Sequence, residues 1–169
     1  PVQTLKEAVE LVEAVEKSGK VYAYAENYCY MPAPTEMRRL YRSGKLGEIQ
    51  YGEGEYVHDC HEIWPQITYG DENHWRNNAY ATFYCTHSLG PVLHVCGLRP
   101  VKVVGFELPI PKRMTDVGCK GGLGSGGIEM VTLENGAVIK SFHGCGLIRE
   151  PSSVWYSVYA KKGSIESDR

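Results

Sequence analysis

The sequence predicts an α+β fold, an open, mainly antiparallel (mixed) sheet with helices on one face, preceded by a single helix–strand unit. Three observations carry that prediction. A capped amphipathic helix at 4–19 feeds directly into a β-rich run at 20–25, the alternation of α/β proteins. Asn135-Gly136 separates two β-rich runs, 128–133 and 137–143, which is a strong hairpin signal. Lys161-Lys162-Gly163 joins two more, 154–160 and 164–167.

The elements follow in order. Thr4 and Glu7 have capping-box spacing, Leu5, Ala8, Val9, Val12 and Val15 form one stripe, and Gly19 stops the helix. The run 20–25, Lys-Val-Tyr-Ala-Tyr-Ala, reads as a strand. Glu26 then lies beyond a strand end, where open α/β sheets bind ligands. A residue capping the next helix is an equally good reading of Glu26. A second helix, 34–43, turns Met37, Leu40 and Tyr41 inward. The strand 48–59 alternates, with Ile49, Tyr51, Glu53, Glu55 and Val57 on one face and Gln50, Gly52, Gly54, Tyr56 and His58 on the other. The run His58-Asp-Cys-His-Glu62 packs possible metal ligands together, but a strand end splays them apart, so a polar loop lining a cleft is preferred. The excursion 63–81 interleaves Trp64, His74, Trp75 and Arg76, a mixture suited to sugar stacking or to plain loop packing.

The stretch 82–97 is where the chemistry is expected. Leu89, Val92, Leu93 and Cys96 fit one buried helix face, and Gly97 ends it. Proline is tolerated in the first turn, so Pro91 predicts a helix start between Thr86 and Leu89. His87 then stands at the helix start, at the edge of a cleft, able to titrate near neutral pH. The plainer reading is a histidine that only hydrogen-bonds backbone.

A strand at 99–108 follows. The run 119–127 is rich in glycine, and Gly122, Gly124 and Gly127 match the dinucleotide fingerprint literally, but a strand rather than a helix comes next, so the match is rejected. These glycines are expected to form a flexible loop over the site. The hairpins make the second half an antiparallel meander with one helix. Val131, Leu133, Val138, Phe142, Trp155 and Tyr159 leave both sheet faces partly apolar, and an apolar open face marks a partner surface.

Composition narrows the function classes. The 169 residues carry a net charge of −2, with 43% hydrophobic and 22% charged residues. Scattered lysines and arginines give no nucleic-acid patch, and no apolar run is long enough to span a bilayer. The six cysteines include no Cys-x-x-Cys pair, so neither a zinc site nor a disulfide framework is expected. A cytoplasmic protein with reduced thiols is the resulting expectation.

Five blocks in order resemble the Gfo/Idh/MocA family of NAD(P)-dependent oxidoreductases. They are Ala25-Glu-Asn-Tyr-Cys-Tyr30, Arg42-Ser-Gly-Lys-Leu-Gly-Glu-Ile49, Gly54-Glu-Tyr-Val-His-Asp59, Tyr84-Cys-Thr-His-Ser-Leu-Gly-Pro91 and Lys162-Gly-Ser-Ile-Glu166. The resemblance implies a remnant of a Rossmann domain at 1–25 and a substrate and oligomerisation domain, cut short at its end, at 26–169. Pro1 then corresponds to the proline of the family's Glu-Lys-Pro signature. His87 matches the histidine of the family's Asp-x-Gly-x-His motif, while Phe83 stands at the aspartate position. The Tyr-Cys-Thr-His run is nearer the branch resembling NAD-dependent α-N-acetylgalactosaminidases. That likeness implies catalytic roles for His87 and Tyr84, and substrate contacts from Tyr56, Glu26, His58, Trp75 and Arg76, with Glu26 also on the nicotinamide side. It implies NAD or NADP in the full-length protein, none bound by this chain alone, a sugar or polyol substrate, and a homo-oligomer built on the open sheet. A glycosidase outcome and a non-catalytic binding module are the alternatives to a dehydrogenase.

Overall fold

The structure, a computed structural model, describes residues 2–168. Pro1, which carries the Glu-Lys-Pro reading, lies outside them. Helix α1 (Leu5–Ser18) forms as its caps dictate: Thr4 Oγ1 accepts from the Glu7 amide at 3.2 Å, Glu7 Oε2 accepts from the Thr4 amide at 3.1 Å, and Gly19 closes the helix at φ 62°. Its apolar stripe buries nothing; Leu5 is 82% and Val12 56% exposed. The strand expected at 20–25 is not formed. Its aromatic and β-branched residues have the right propensity, but a strand needs a ladder partner, and none of the six strands pairs with it.

From residue 27 onward the chain builds one layer of helices on one sheet. A 3₁₀ turn, Asn27–Tyr30, leads into α2 (Pro32–Arg42), then β1 (Ile49–Val57) and the short helices α3 (Trp64–Ile67) and α4 (Trp75–Asn78). A second 3₁₀ turn, Ala81–Tyr84, enters α5 (Thr86–Cys96), followed by β2 (Pro100–Glu107) and α6 (Lys112–Asp116). Strands β3 (Gly126–Leu133), β4 (Val138–Gly144), β5 (Ser153–Ala160) and β6 (Gly163–Glu166) complete the sheet. Both expected hairpins form, with Gly136 at φ 86° in the first.

The sheet order β2-β3-β4-β1-β5-β6 corrects the expected meander. Strand β1 inserts between β4 and β5, parallel to the former and antiparallel to the latter. Alternation along a strand fixes its faces and leaves its neighbours open, so this insertion is invisible locally. A register irregularity between Ile49 and Tyr51 also moves Ile49 off the face it was expected to share. Ile49 is 2% exposed and packs with Met37, Val92, Val95, Val131, Leu133, Ile139, Tyr156 and Val158 under α2 and α5.

Helix α5 starts at Thr86, at the early limit of the expected window, which puts Pro91 in its second turn. The glycine-rich run is not a loose cover. Leu123, Gly124 and Ser125 are buried, and a Cβ on Gly124 would stand 2.2 Å from Cys119 Sγ. The glycines permit close packing, and Gly126 and Gly127 already belong to β3. The opposite sheet face carries no helix. It presents Phe106, Met130 and Tyr159, all more than a third exposed, around an ion pair between Lys140 and Glu53.

A second core beneath the site joins Tyr56, Cys60, Trp64, Met114, Cys119, Leu123 and Cys145. Trp64 is 1% exposed, and its indole N–H donates to Asn77 Oδ1 at 2.8 Å, while Asn77 Nδ2 donates to the Asp71 carbonyl at 2.9 Å. Asn77→Ala leaves the indole donor buried without a partner. The expected cost is about 1–3 kcal/mol, read as a lowered urea midpoint; an unchanged midpoint contradicts this account of the core.

Candidate functional site

The site is assembled where the 3₁₀ turn after Glu26, the end of β1 and the start of α5 converge. Three strand residues in one row seat α5. Gly54 on β1 lies beside Ser141 on β4 and Tyr156 on β5. Gly54 has no side chain because the helix backbone occupies the space; a Cβ there would be 1.8 Å from the Ser88 carbonyl oxygen. Ser88 Oγ and Ser141 Oγ share a hydrogen bond of 2.8 Å, and the Tyr156 hydroxyl donates to the His87 carbonyl at 2.6 Å.

With the helix start fixed, His87 meets Glu26. His87 Nδ1 lies 2.6 Å from Glu26 Oε1, and both side chains are largely buried. The same carboxylate oxygen accepts from the Tyr28 amide at 3.2 Å, so both readings of Glu26 hold at once: it caps the turn and it faces the histidine. A carboxylate only accepts, which places a proton on Nδ1. The lone pair of the neutral ring is then on Nε2, 3.2 Å from the Tyr84 hydroxyl. Glu26, His87 and Tyr84 thus form one hydrogen-bonded chain that joins residues 61 positions apart in sequence.

Three tyrosine rings enclose the imidazole, with centroid distances of 4.8 Å to Tyr28, 4.8 Å to Tyr56 and 5.1 Å to Tyr84. Burial pushes the Tyr84 hydroxyl up to about 12, and burial also raises Tyr56, so both stay protonated donors near neutral pH. Tyr56 OH meets His58 Nδ1 at 3.0 Å, which brings His58 into the cluster.

Trp75 and Arg76 stand on a neighbouring wall. The guanidinium carbon sits 4.4 Å over the indole, and Trp75 packs edge-on against Phe83 at 5.9 Å. Neither makes a ring contact with His87; Trp75 lines a separate groove with Gln3, Thr4, Asn78, Tyr80 and Phe83. The other members of the 58–62 run are engaged elsewhere. Arg113 holds Asp59, and His61 Nδ1 pairs with Glu62 at 3.1 Å. Sequence reading missed Tyr28 and Tyr156. Tyr28 adjoins Glu26 but carried no spacing signal, and Tyr156 is 69 residues from the carbonyl it serves.

Behind α5, Glu129 and His143 are almost fully buried, with His143 Nδ1 3.7 Å from Glu129 Oε1. His143 is anchored through Nε2 to the Ala81 carbonyl at 2.5 Å. Burial raises the Glu129 carboxyl from 4.5 to about 7. Folding therefore favours the protonated acid, and its contribution is present below pH 4.5 and lost as pH rises towards 7. His143, depressed mainly by burial, contributes with the opposite slope just below 6.5. Comparing unfolding midpoints of the wild type and Glu129→Gln across pH 4.5–7 separates the two. The gap between them is expected to change in the variant's favour as pH rises, and a pH-independent gap contradicts the assignment.

The glycine-rich segment 119–127 is not built as a dinucleotide cradle. The glycines that match the fingerprint are packed against the Glu107 carboxylate (Gly122), Cys119 (Gly124) and the His143 ring (Gly127), and the last already lies in β3. The pyrophosphate needs exposed backbone N–H groups at a helix start, and this segment offers none.

Comparison with known proteins agrees with the resemblance read from the motif order. No family model matches the chain. It is 32% identical over 102 residues to an α-N-acetylgalactosaminidase of Bacteroides fragilis, covering 57% of this chain and 24% of that protein. It is 33% identical over 113 residues to a glycosyl hydrolase family 109 protein of Saccharopolyspora erythraea, covering 63% and 25%. An inositol dehydrogenase homologue of Azotobacter vinelandii, solved with NADH and myo-inositol, superposes with a TM-score of 0.72 at 18% identity, over 96% of this chain and 41% of that one. The chain thus spans about a quarter of the curated relatives it matches. Its fold is that of the C-terminal α+β domain of Gfo/Idh/MocA proteins.

Proposed function

We propose that this chain is the substrate-binding portion, residues 26–169 preceded by a Rossmann remnant, of a longer NAD(P)-dependent enzyme acting on a carbinol of a sugar or polyol. The observation that carries the reading is the Glu26–His87–Tyr84 chain. Glu26 holds the Nδ1 proton, which leaves Nε2 to take a proton from a substrate hydroxyl, directly or through the Tyr84 hydroxyl. Tyr56 and His58 hydrogen-bond neighbouring substrate hydroxyls in this reading, while Trp75, stacked with Arg76, faces the separate groove and takes no part in it. A nicotinamide supplies the hydride acceptor when bound, and in this reading its pyrophosphate is held outside residues 2–168. The open sheet face, with Phe106, Met130 and Tyr159 exposed, suits a second copy of the same domain.

A glycosidase outcome of the same chemistry is the second reading. It is favoured by Phe83, which replaces the aspartate of the usual dehydrogenase motif, and by the name of the Bacteroides relative. The full-length protein, given NAD, an aryl glycoside and free sugars, separates the two. Aryl release without net NADH identifies a glycosidase, and NADH accumulation on a free sugar or polyol identifies a dehydrogenase. Neither signal across a sugar panel overturns both in favour of a binding module.

A further inference from the structure

Pro91 creates a specific deficit in α5. Residue 91 of an α-helix starting at Thr86 should donate its amide to the carbonyl of residue 87, and proline has no N–H to give. That carbonyl belongs to His87. It points at the sheet, where an unpaired buried acceptor is costly. The Tyr156 hydroxyl donates to it at 2.6 Å. Tyr156 is 2% exposed, and burial raises its hydroxyl well above the usual range, so it stays a donor at any ordinary pH. Its strand neighbour Gly54 is the residue on which the Ser88 backbone rests, so the bond forms where helix and sheet are in closest contact.

We propose that Tyr156 is a positioning residue for His87: its hydroxyl supplies the hydrogen bond that Pro91 removes from the helix. Pinning the His87 carbonyl fixes the first turn of α5, and with it the placement of the imidazole between Glu26 Oε1 and the Tyr84 hydroxyl. The Pro91–Tyr156 pairing converts a continuous helical bond into one made by the sheet, so that the histidine is registered to the strands. This inference rests on the proposed role of His87 for its functional meaning, and its test needs no turnover.

The test is a double-mutant cycle of Y156F and P91A, read by thermal unfolding and by the His87 ring-nitrogen shifts at fixed neutral pH. Y156F alone is expected to lower the unfolding midpoint by roughly 3–8 °C, the scale of one orphaned buried acceptor in a chain of this size. It is also expected to displace both ring-nitrogen shifts, because the bonds to Glu26 and Tyr84 loosen. P91A restores an amide to the same carbonyl, so in that background Y156F should cost less than half as much and leave the ring shifts near their wild-type values. Should Y156F fail to fold, a folded double variant supports the pairing equally, and an unfolded one overturns it. Equal thermal losses in the two backgrounds, or ring shifts indifferent to Y156F, also overturn it. Failure of the proposed activity would appear differently, as full turnover in a His87 variant with this coupling intact.

Discussion

On the proposed function, replacing His87 with alanine in the full-length protein is expected to slow turnover about 10²-fold or more, the usual contribution of a positioned general acid–base group. The size of the effect follows from the geometry. Nε2 carries the only lone pair of the neutral ring, and Tyr84, at about 12, cannot give up its proton near neutral pH without an acceptor beside it. Alanine removes that acceptor and leaves the Glu26 carboxylate facing a void. Glu26→Gln is expected to be milder in structure, because an amide oxygen can still accept from Nδ1, but slower than wild type because the compensating charge is gone. Turnover by His87→Ala at the wild-type rate would remove the histidine from the role.

Gly54→Ala should produce the largest loss of stability of any single methyl added to the sheet. The new Cβ would lie 1.8 Å from the Ser88 carbonyl oxygen and 2.7 Å from its carbon, so the obstacle is helix backbone. Helix α5 must lift, which stretches both the Ser88–Ser141 and Tyr156–His87 hydrogen bonds. A cost of about 3 kcal/mol or more is expected from overpacking and lost bonds together. Gly52→Ala is the internal comparison. Its Cβ would meet the Val92 Cγ1 at 2.8 Å, a side-chain methyl with some freedom to move. Chemical denaturation of the two variants should place Gly54→Ala well below Gly52→Ala, and the reverse order would contradict the seating of α5 described above.

What the sequence made legible was local. The Thr4–Glu7 box, the Gly97 stop and the Asn135-Gly136 turn each depend on residues within a few positions, and each forms as read. What it concealed was set by partners far along the chain. The 20–25 run has strand propensity without a ladder, and α1 has an apolar stripe without a partner. Strand β1 finds β4 more than 80 residues away, and Gly54 is required by the Ser88 backbone of α5, a contact more than 30 residues along the chain. Pro91 placed the start of α5 in the right window, but no local rule shows that the carbonyl it leaves free is satisfied by Tyr156. The site was partly legible for a different reason. Spacing alone left Glu26 and His87 as isolated candidates, and resemblance to a family brought them together with Tyr84 and Tyr56. Tyr28 and Tyr156 belong to neither signal.

The central claim, that Glu26 directs the lone pair of the neutral His87 ring to Nε2, is tested most directly by a long-range ¹H–¹⁵N spectrum of the His87 ring recorded across a pH series. In the neutral form of the ring the proton is expected on Nδ1, with Nε2 showing the shift of an unprotonated nitrogen that accepts a hydrogen bond, and Glu26→Ala is expected to abolish that tautomer preference. A ring protonated at Nε2 with Nδ1 bare would contradict it.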